Sequence, residues 1–256
     1  MSDLSYTLQR NVMICAQRST VFRYFTDSDR FADWWGAGST IDARPGGQMK
    51  IVHPNGAVAS GEVVEVVPGK RIVFTYGYTD PSRRIPPGGS RVTVTLEDRP
   101  EGTWLTLQHD LSDQKARDEH VQGWRFQLAL FANVAAHEQH AGLAPLLDRY
   151  FALWGEADAT VRRSGLTEVT TASVTFQDQY SCTSGLDDLD SHLAAARVFM
   201  PGLTLARSGE PRQCQGAALA DWEARDREGK AVGKGTNLFV LAPDGKIARV
   251  VGFWSA

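Results

Sequence analysis

Cysteine is scarce in this sequence: three of 256 residues, at positions 15, 182 and 214. They lie far apart, are odd in number and form no C-x-x-C pair. Reduced thiols are expected, rather than a disulfide framework or a thiolate metal site. Long apolar runs are missing too. None approaches the roughly 18 residues that a membrane-spanning helix requires. Neither sign of charge dominates: 27 basic and 30 acidic side chains leave a formal net charge of −3, spread along the chain. That excludes the basic footprint of a nucleic-acid binder, so neither nucleic acid nor membrane is an expected partner. The start, Met1-Ser-Asp-Leu-Ser-Tyr6, has no basic segment followed by an apolar core, and a cytoplasmic location is the default expectation.

Several chemical signatures are also lacking. No G-x-S-x-G nucleophile elbow is present. Val67-Pro-Gly-Lys70 lacks the first glycine and the closing Ser/Thr of a phosphate loop, and the glycines at 229, 233 and 235 do not make a dinucleotide fingerprint. His137-Glu-Gln-His140 spaces its histidines by three, where a zinc-binding helix needs four. No metal and no cofactor are expected.

What is present is clear periodicity. Residues 103–109 alternate, with Leu105, Leu107 and His109 on one face. Val121, Trp124, Leu128, Phe131 and Ala135 then recur at spacings of three and four, the stripe of an amphipathic helix. A long helix laid on a curved sheet encloses a lined space, so this strand and helix point to a small-molecule pocket. Upstream, Arg18-Ser19-Thr20 reads as the cap of a short helix bearing Val21, Phe22 and Phe25. A second short helix carries Phe31, Trp34 and Trp35. Strands follow at about 48–53, 58–67, 71–78, 91–97 and 103–109, with Ile72, Phe74, Tyr76 and Tyr78 sharing a face. The Pro- and Gly-rich residues 81–90 are a loop, expected to be mobile. The long helix runs from about Gln114 to His137.

Gly142 and Pro145 punctuate the chain, and a second pattern begins there. Leu146, Leu147, Tyr150, Phe151 and Trp154 mark one helix, and residues 156–164 a charged one. A strand is expected at 172–180 and a helix at 187–200. Four strands follow, at 203–209, 214–226, 232–242 and 246–254, the last two joined at Pro243-Asp-Gly245. The length suits two domains, placed at 1–140 and 145–256, both α+β with mostly antiparallel sheets.

Residues about 10–138 resemble the START-like (SRPBCC) helix-grip domains grouped with the Hsp90 ATPase activator homologues. The resemblance rests on Val21-Phe22, Trp34-Trp35-Gly36, Pro45-Gly46-Gly47, Gly61-Glu-Val-Val-Glu-Val-Val-Pro68, Ser90-Arg-Val-Thr-Val-Thr-Leu96, Gly102-Thr103, His109 and His120-x-x-Gly123-Trp124. It implies a curved antiparallel sheet gripping a long C-terminal helix around a cavity. Residues about 145–256 resemble a SnoaL-like domain of the NTF2-like superfamily, an α+β cone. Here the carriers are Arg149-Tyr150-Phe151-Ala152-Leu153-Trp154, Val174-Thr-Phe-Gln-Asp178, Gly185-Leu186-Asp187, Pro201-Gly202-Leu203, Trp222 and Pro243-Asp-Gly-Lys-Ile-x-x-Val250-x-Gly252-Phe253. That superfamily includes polyketide cyclases, ketosteroid isomerases and dehydratases, as well as non-catalytic modules.

Counting by two along the strand at 172–180 puts Val174, Phe176, Asp178 and Tyr180 on one side, with Tyr180 a candidate ligand contact. An acid on an apolar face is costly unless paired or functional. The resemblance implies general base for Asp178 and oxyanion donor for Tyr150, although Gln follows Asp178 where those enzymes usually carry Pro. The alternative leaves Asp178 at the rim, solvated or tied to Arg207. Trp154, Trp222 and Trp254 line the cone or fill its core, and Arg207 faces a pocket acid or reaches to solvent. In the first half, Trp34, Trp35, Phe74, Tyr76 and Trp124 are pocket or core aromatics, and His109 and His120 either hold a ligand or are structural. Three functions follow: a two-domain binding protein for hydrophobic or aromatic small molecules, a cyclase, isomerase or dehydratase in the second half, and a chaperone-linked module. A homodimer through the open sheet face of the cone is also expected.

Overall fold

A computed structural model describes residues 4–255; Met1 to Asp3 of the polar start and Ala256 lie outside the described residues. The chain divides between Gln139 and His140 into two compact units, both α+β. Among the described residues no helix is long and apolar enough to cross a membrane.

The first unit runs β1 (Tyr6–Ile14), α1 (Arg18–Arg23), α2 (Ser28–Trp35), β2 (Thr40–Ile41), β3 (Gln48–Val52), β4 (Val58–Val67), β5 (Arg71–Tyr78), β6 (Ser90–Arg99), β7 (Gly102–Leu111) and α3 (Gln114–Gln139). Its seven strands form an antiparallel sheet in the order β1-β7-β6-β5-β4-β3-β2. The helix α3 packs its Trp124, Leu128, Phe131 and Ala135 into the core, which is the helix-grip arrangement. Phe131 meets Tyr24 and Phe25 edge-on at 5.6 and 5.2 Å between ring centres, and Trp34 at 4.7 Å. Truncating such a ring costs about 3–5 kcal/mol.

Two features depart from the sequence reading. The strand β1 carries no clean alternation, because Gln9, Arg10 and Asn11 interrupt it and only Leu8 and Ile14 are buried. Its backbone nevertheless pairs with the whole of β7, from Tyr6 opposite Leu111 to Ile14 opposite Thr103. And α1 has no Ser or Thr cap: Gln17 is its N-cap residue and makes no side-chain cap bond, while Ser19 and Thr20 lie inside the helix. The work falls to Gln139, at the far end of α3, whose Oε1 accepts from Gln17 N–H (3.1 Å) and Thr20 Oγ1 (2.8 Å). Next to it, Glu138 accepts from Arg23 (2.7 Å) and Arg30 (3.0 Å). One turn of helix thus fastens both α1 and α2.

The loop at 81–90 is packed down rather than free. Tyr78 N–H donates to Ile85 O at 2.8 Å, and Ile85 is buried with Leu111 and Ala116. The fit is close: a Cβ on Gly77 would lie 1.7 Å from Pro86 O.

The second unit runs α4 (Leu143–Ala152), α5 (Ala159–Val169), β8 (Thr170–Gln177), β9 (Cys182–Ser184), α6 (Leu186–Phe199), β10 (Thr204–Cys214), β11 (Ala217–Arg225), β12 (Ala231–Leu241) and β13 (Ile247–Trp254). The sheet order is β10-β11-β12-β13-β8-β9, antiparallel except for β13 beside β8. Leu147, Tyr150 and Phe151 of α4, Leu166 of α5 and Leu189 and Leu193 of α6 close a core with Trp222, Phe239 and Val250 of the sheet. The charged helix begins at Ala159, later than its composition suggests. Asp158 caps it, accepting from Thr160 N–H (2.7 Å) and Val161 N–H (3.0 Å).

Gly77→Ala is expected to dislodge the 81–90 loop, costing about 1–3 kcal/mol as overpacked sites do. Urea unfolding reads the loss, and limited trypsin digestion reads accelerated cleavage after Arg83 and Arg84.

Candidate functional site

In the first unit a cavity of about 340 Å³ opens between the sheet and α3. Period-two geometry turns Tyr76 and Tyr78 of β5 to the side that Phe74 occupies deeper in the core. Along α3, His120, Trp124 and Gln127 stand four and three residues apart and share the facing stripe. Trp35 at the end of α2, His53 just past β3 and the half-turn around Pro54 and Asn55 complete the wall, with the exposed Phe126 at the rim.

The floor is a hydrogen-bonded chain centred on His109, which is 0% exposed. Trp124 Nε1–H donates to His109 Nδ1 at 3.0 Å. An indole only donates, so Nδ1 holds a lone pair and the ring proton sits on Nε2. That proton goes to Ser90 Oγ (2.8 Å), and the Ser90 hydroxyl donates on to Tyr76 O (2.8 Å). Every polar atom of the chain is used. Burial, and after it the neighbouring His120, pushes the His109 pKa down to about 3.

The walls are looser. His120 Nδ1–H donates to Ala116 O at 2.7 Å, so its Nε2 lone pair faces Tyr78 Oη at 3.4 Å. His53 Nε2 stands 3.3 Å from Tyr76 Oη. Burial lowers the pKa of both histidines and raises that of Tyr76. Trp35 Nε1 is buried with no hydrogen-bond partner, a position that costs about 1–3 kcal/mol in a closed protein interior. Arg83, from the 81–90 loop, lies over the Tyr78 ring at 5.1 Å.

The structure separates the aromatics and histidines that the sequence left together. Trp35, Tyr76, His120 and Trp124 line the cavity; Trp34, Phe74 and His109 are packed away from it in the core. Sequence reasoning missed His53, Tyr78 and Gln127 as wall residues. Tyr78 had a signal, since it shares strand parity with Tyr76. His53 follows a strand end and belongs to no periodic pattern.

In the second unit, β8 ends at Gln177, and Asp178 opens a turn rather than continuing a strand. Its Oδ1 accepts from Tyr180 N–H (2.9 Å), Ser181 N–H (2.9 Å) and Ser181 Oγ (3.1 Å), and its Oδ2 from Trp254 Nε1 (3.1 Å). The break in the strand corrects the placement of Tyr180. It does not share an inner face with Asp178 but is 74% exposed, edge-on to Trp254. Arg207 is corrected as well: it grips neither Asp178 nor a pocket acid, but makes a two-pronged bond to Asp148 of α4 at 2.9 and 3.0 Å. Trp222 is buried and donates to Asn237 Oδ1 at 2.9 Å, and Trp254 is partly exposed and edge-on to it at 4.9 Å. Tyr150 is fully buried among Phe151, Trp154 and Phe239, and neither its Oη nor Trp154 Nε1 completes a hydrogen bond. Burial raises the Tyr150 pKa; Trp154 Nε1 opposes it, and the charge of Asp178 adds a smaller upward push. A residue the sequence reading did not select joins this group. His192 of α6 stacks on Phe176 at 5.4 Å and reaches Ser181 Oγ at 3.3 Å. At the end of α3, His137 Nδ1 donates to Asn133 O of its own helix at 2.9 Å.

The buried, neutral His109 ties stability to pH. The unfolded chain takes up a proton below about 6.5, the folded chain only near 3. This group's contribution is therefore complete above pH 6.5 and falls by about 1.4 kcal/mol per pH unit as pH drops through that window. Urea midpoints across the window read the slope, and His109→Phe is expected to reduce it, leaving the share due to His53, His120 and His192. Ser90→Ala, which strands Nε2–H, is expected to cost about 1–3 kcal/mol at neutral pH.

Among solved structures the chain is similar to a candidate isomerase of the SnoaL-like family from Agrobacterium tumefaciens. That match has 25% identity over 46% of this chain and 99% of that one, with a TM-score of 0.43. It is similar to an AHSA1-like protein from Rhizobium etli, with 29% identity over 51% of this chain and 82% of that one and a TM-score of 0.42. It is also similar to the Aha1 dimer from Colwellia psychrerythraea, with 17% identity over 48% and 90% and a TM-score of 0.42. No curated protein gives a significant match. Residues 15–136 match the family model of the Activator of Hsp90 ATPase homolog 1-like protein.

Proposed function

We propose that the first unit binds a small hydrophobic or aromatic molecule in the cavity between β5 and α3. The observation that carries this reading is the cavity itself, about 340 Å³ walled by Trp35, Tyr76, Tyr78, Trp124 and two histidines, with the unpartnered Trp35 Nε1 buried beside it. A native interior rarely leaves such a group unpaired. Around it stand Tyr76, Tyr78 and Trp124 as flat apolar surfaces and two imidazoles as convergent polar groups, the usual composition of a ligand pocket. The volume is at the small end of the usual range of about 300–1,000 Å³.

Gly123 supplies the test. It lines the cavity, and a Cβ added there meets nothing within 4 Å. Gly123→Leu is expected to fill the cavity while preserving the fold. Native mass spectrometry of the full chain from cell extract is expected to show a co-purifying small molecule that this variant lacks. An equal ligand load on the variant would contradict the reading.

A second reading concerns the other unit, and the unpaired Tyr150 Oη and Trp154 Nε1 favour it. Two donors deep in the cone, within the field of Asp178, suit an enzyme that moves a proton on a carbonyl compound, as an isomerase, cyclase or dehydratase does. Asp178 serves as base and Tyr150 as donor to the developing oxyanion. In a screen of hydrophobic carbonyl compounds, Tyr150→Phe is expected to lower kcat by about 10²–10³-fold. Asp178→Asn, which keeps an oxygen to accept the three bonds of its turn, is expected to abolish turnover. Unchanged turnover in Asp178→Asn would sink this reading.

A further inference from the structure

We infer that the cavity of the first unit selects an anionic aromatic molecule, a flat ring system carrying a carboxylate. The inference rests on the binding reading above and names the class of ligand.

The argument is a balance of donors, acceptors and charge. No Asp or Glu lines the cavity. On the donor side stand the hydroxyls of Tyr76 and Tyr78, which act on each other and make long contacts of 3.3 and 3.4 Å to His53 and His120. A phenol hydrogen swings between two positions in the ring plane, so both can turn to a better acceptor. A carboxylate offers two oxygens with about four lone-pair sites and accepts from both tyrosines.

Charge points the same way. Above the two tyrosines, Arg83 lies over the Tyr78 ring, and its field reaches His53, His120 and Tyr76. From β7, His109 faces His120 at 5.2 Å as a neutral ring with both nitrogens occupied. On α3, Glu119 acts on His120 more strongly than Arg83 does and favours its protonation; it also lies 3.5 Å from Arg84, which is 3.7 Å from Asp113. Around His53 stand Trp35, Tyr76, Tyr78, His120 and Arg83, without an acid. An ammonium ligand would meet Arg83 with no counter-charge on the wall. A carboxylate meets the two tyrosine hydroxyls and the guanidinium of Arg83.

A proton follows the anion. His120 has its Nδ1–H committed to Ala116 O, so only Nε2 is open to protonation. When Tyr78 turns its hydroxyl to the carboxylate, that lone pair loses its donor. The incoming negative charge offsets the burial that keeps the ring neutral. A solvent proton then adds to Nε2, and the imidazolium donates to the ligand or to Tyr78 Oη. The ligand binds as an ion pair, with proton uptake.

The test uses the full chain and three probes of one shape: naphthoate, naphthalenemethanol and naphthylmethylammonium. Titration calorimetry with tryptophan fluorescence is expected to show naphthoate binding about tenfold tighter than the alcohol, the difference between a charged and a neutral hydrogen-bond acceptor. The ammonium is expected to bind weakest. Affinity for naphthoate rises between about pH 7.5 and about pH 5.5, a range over which a carboxylate stays ionised. Heats in two buffers of different ionisation enthalpy show proton uptake, and His120→Gln removes it. Arg83→Ala weakens naphthoate more than the alcohol. Equal or tighter binding of the alcohol or the ammonium overturns the anion inference and leaves the cavity reading standing. If no probe binds and Gly123→Leu changes nothing, both fall.

Discussion

The bond from the Trp124 indole to His109 Nδ1 governs the first unit. It joins the long helix to the sheet through two buried polar groups, neither of which has an alternative partner in water. Because an indole cannot accept, one contact decides the imidazole tautomer, then the direction of the Ser90 hydroxyl, then the bond to the Tyr76 carbonyl. The backbone that carries Tyr76 is thereby tied to the helix that carries Trp124. The spacing between the two walls of the cavity is set from beneath, leaving the side chains above free to be loosely paired. A pocket whose floor is rigid and whose walls are undersatisfied is ready for a ligand.

The two units treat buried polarity differently. The first keeps two long phenol–imidazole contacts on the wall of an open space, with the unpartnered Trp35 Nε1 buried beside it. The second holds Tyr150 Oη and Trp154 Nε1 in its core, with the charge of Asp178 acting on Tyr150 from the turn after β8. Asp178 holds its turn together with one oxygen and binds an indole with the other, and His192 joins the same network through Ser181.

Most of the fold was legible in the sequence, because it is written in apolar periods. The stripe from Trp124 to Ala135 and the alternation of β5, β6 and β7 specify a helix on an antiparallel sheet, and β11 to β13 do the same for the second unit. The strand β1 was not legible. An edge strand is defined by its backbone partner, and its polar Gln9, Arg10 and Asn11 suit one exposed side. The turn at Asp178 was hidden for the opposite reason: Val174 and Phe176 alternate well, and only the hydrogen bonds of Asp178 show where the strand stops. For the cavity, residue types were visible and their allotment was not. Trp34 and Trp35 are adjacent in sequence, yet one fills the core and the other lines the space, a difference of about 100° around a helix.

The fastening of α1 and α2 by Glu138 and Gln139 has a consequence for how the chain is made. A ribosome delivers β1 first, but its partner strand ends at Leu111, and the side chain that caps α1 arrives only at residue 139. Until then the sheet lacks its edge strand and the two short helices lack their clasp. The unit thus closes as a ring whose first and last segments meet late. Pairing over that separation is slow, because the intervening loop must be ordered before the contacts that reward it form. The sheet of the first unit stays open until that unit is nearly complete, and the last turn of α3 works as its latch.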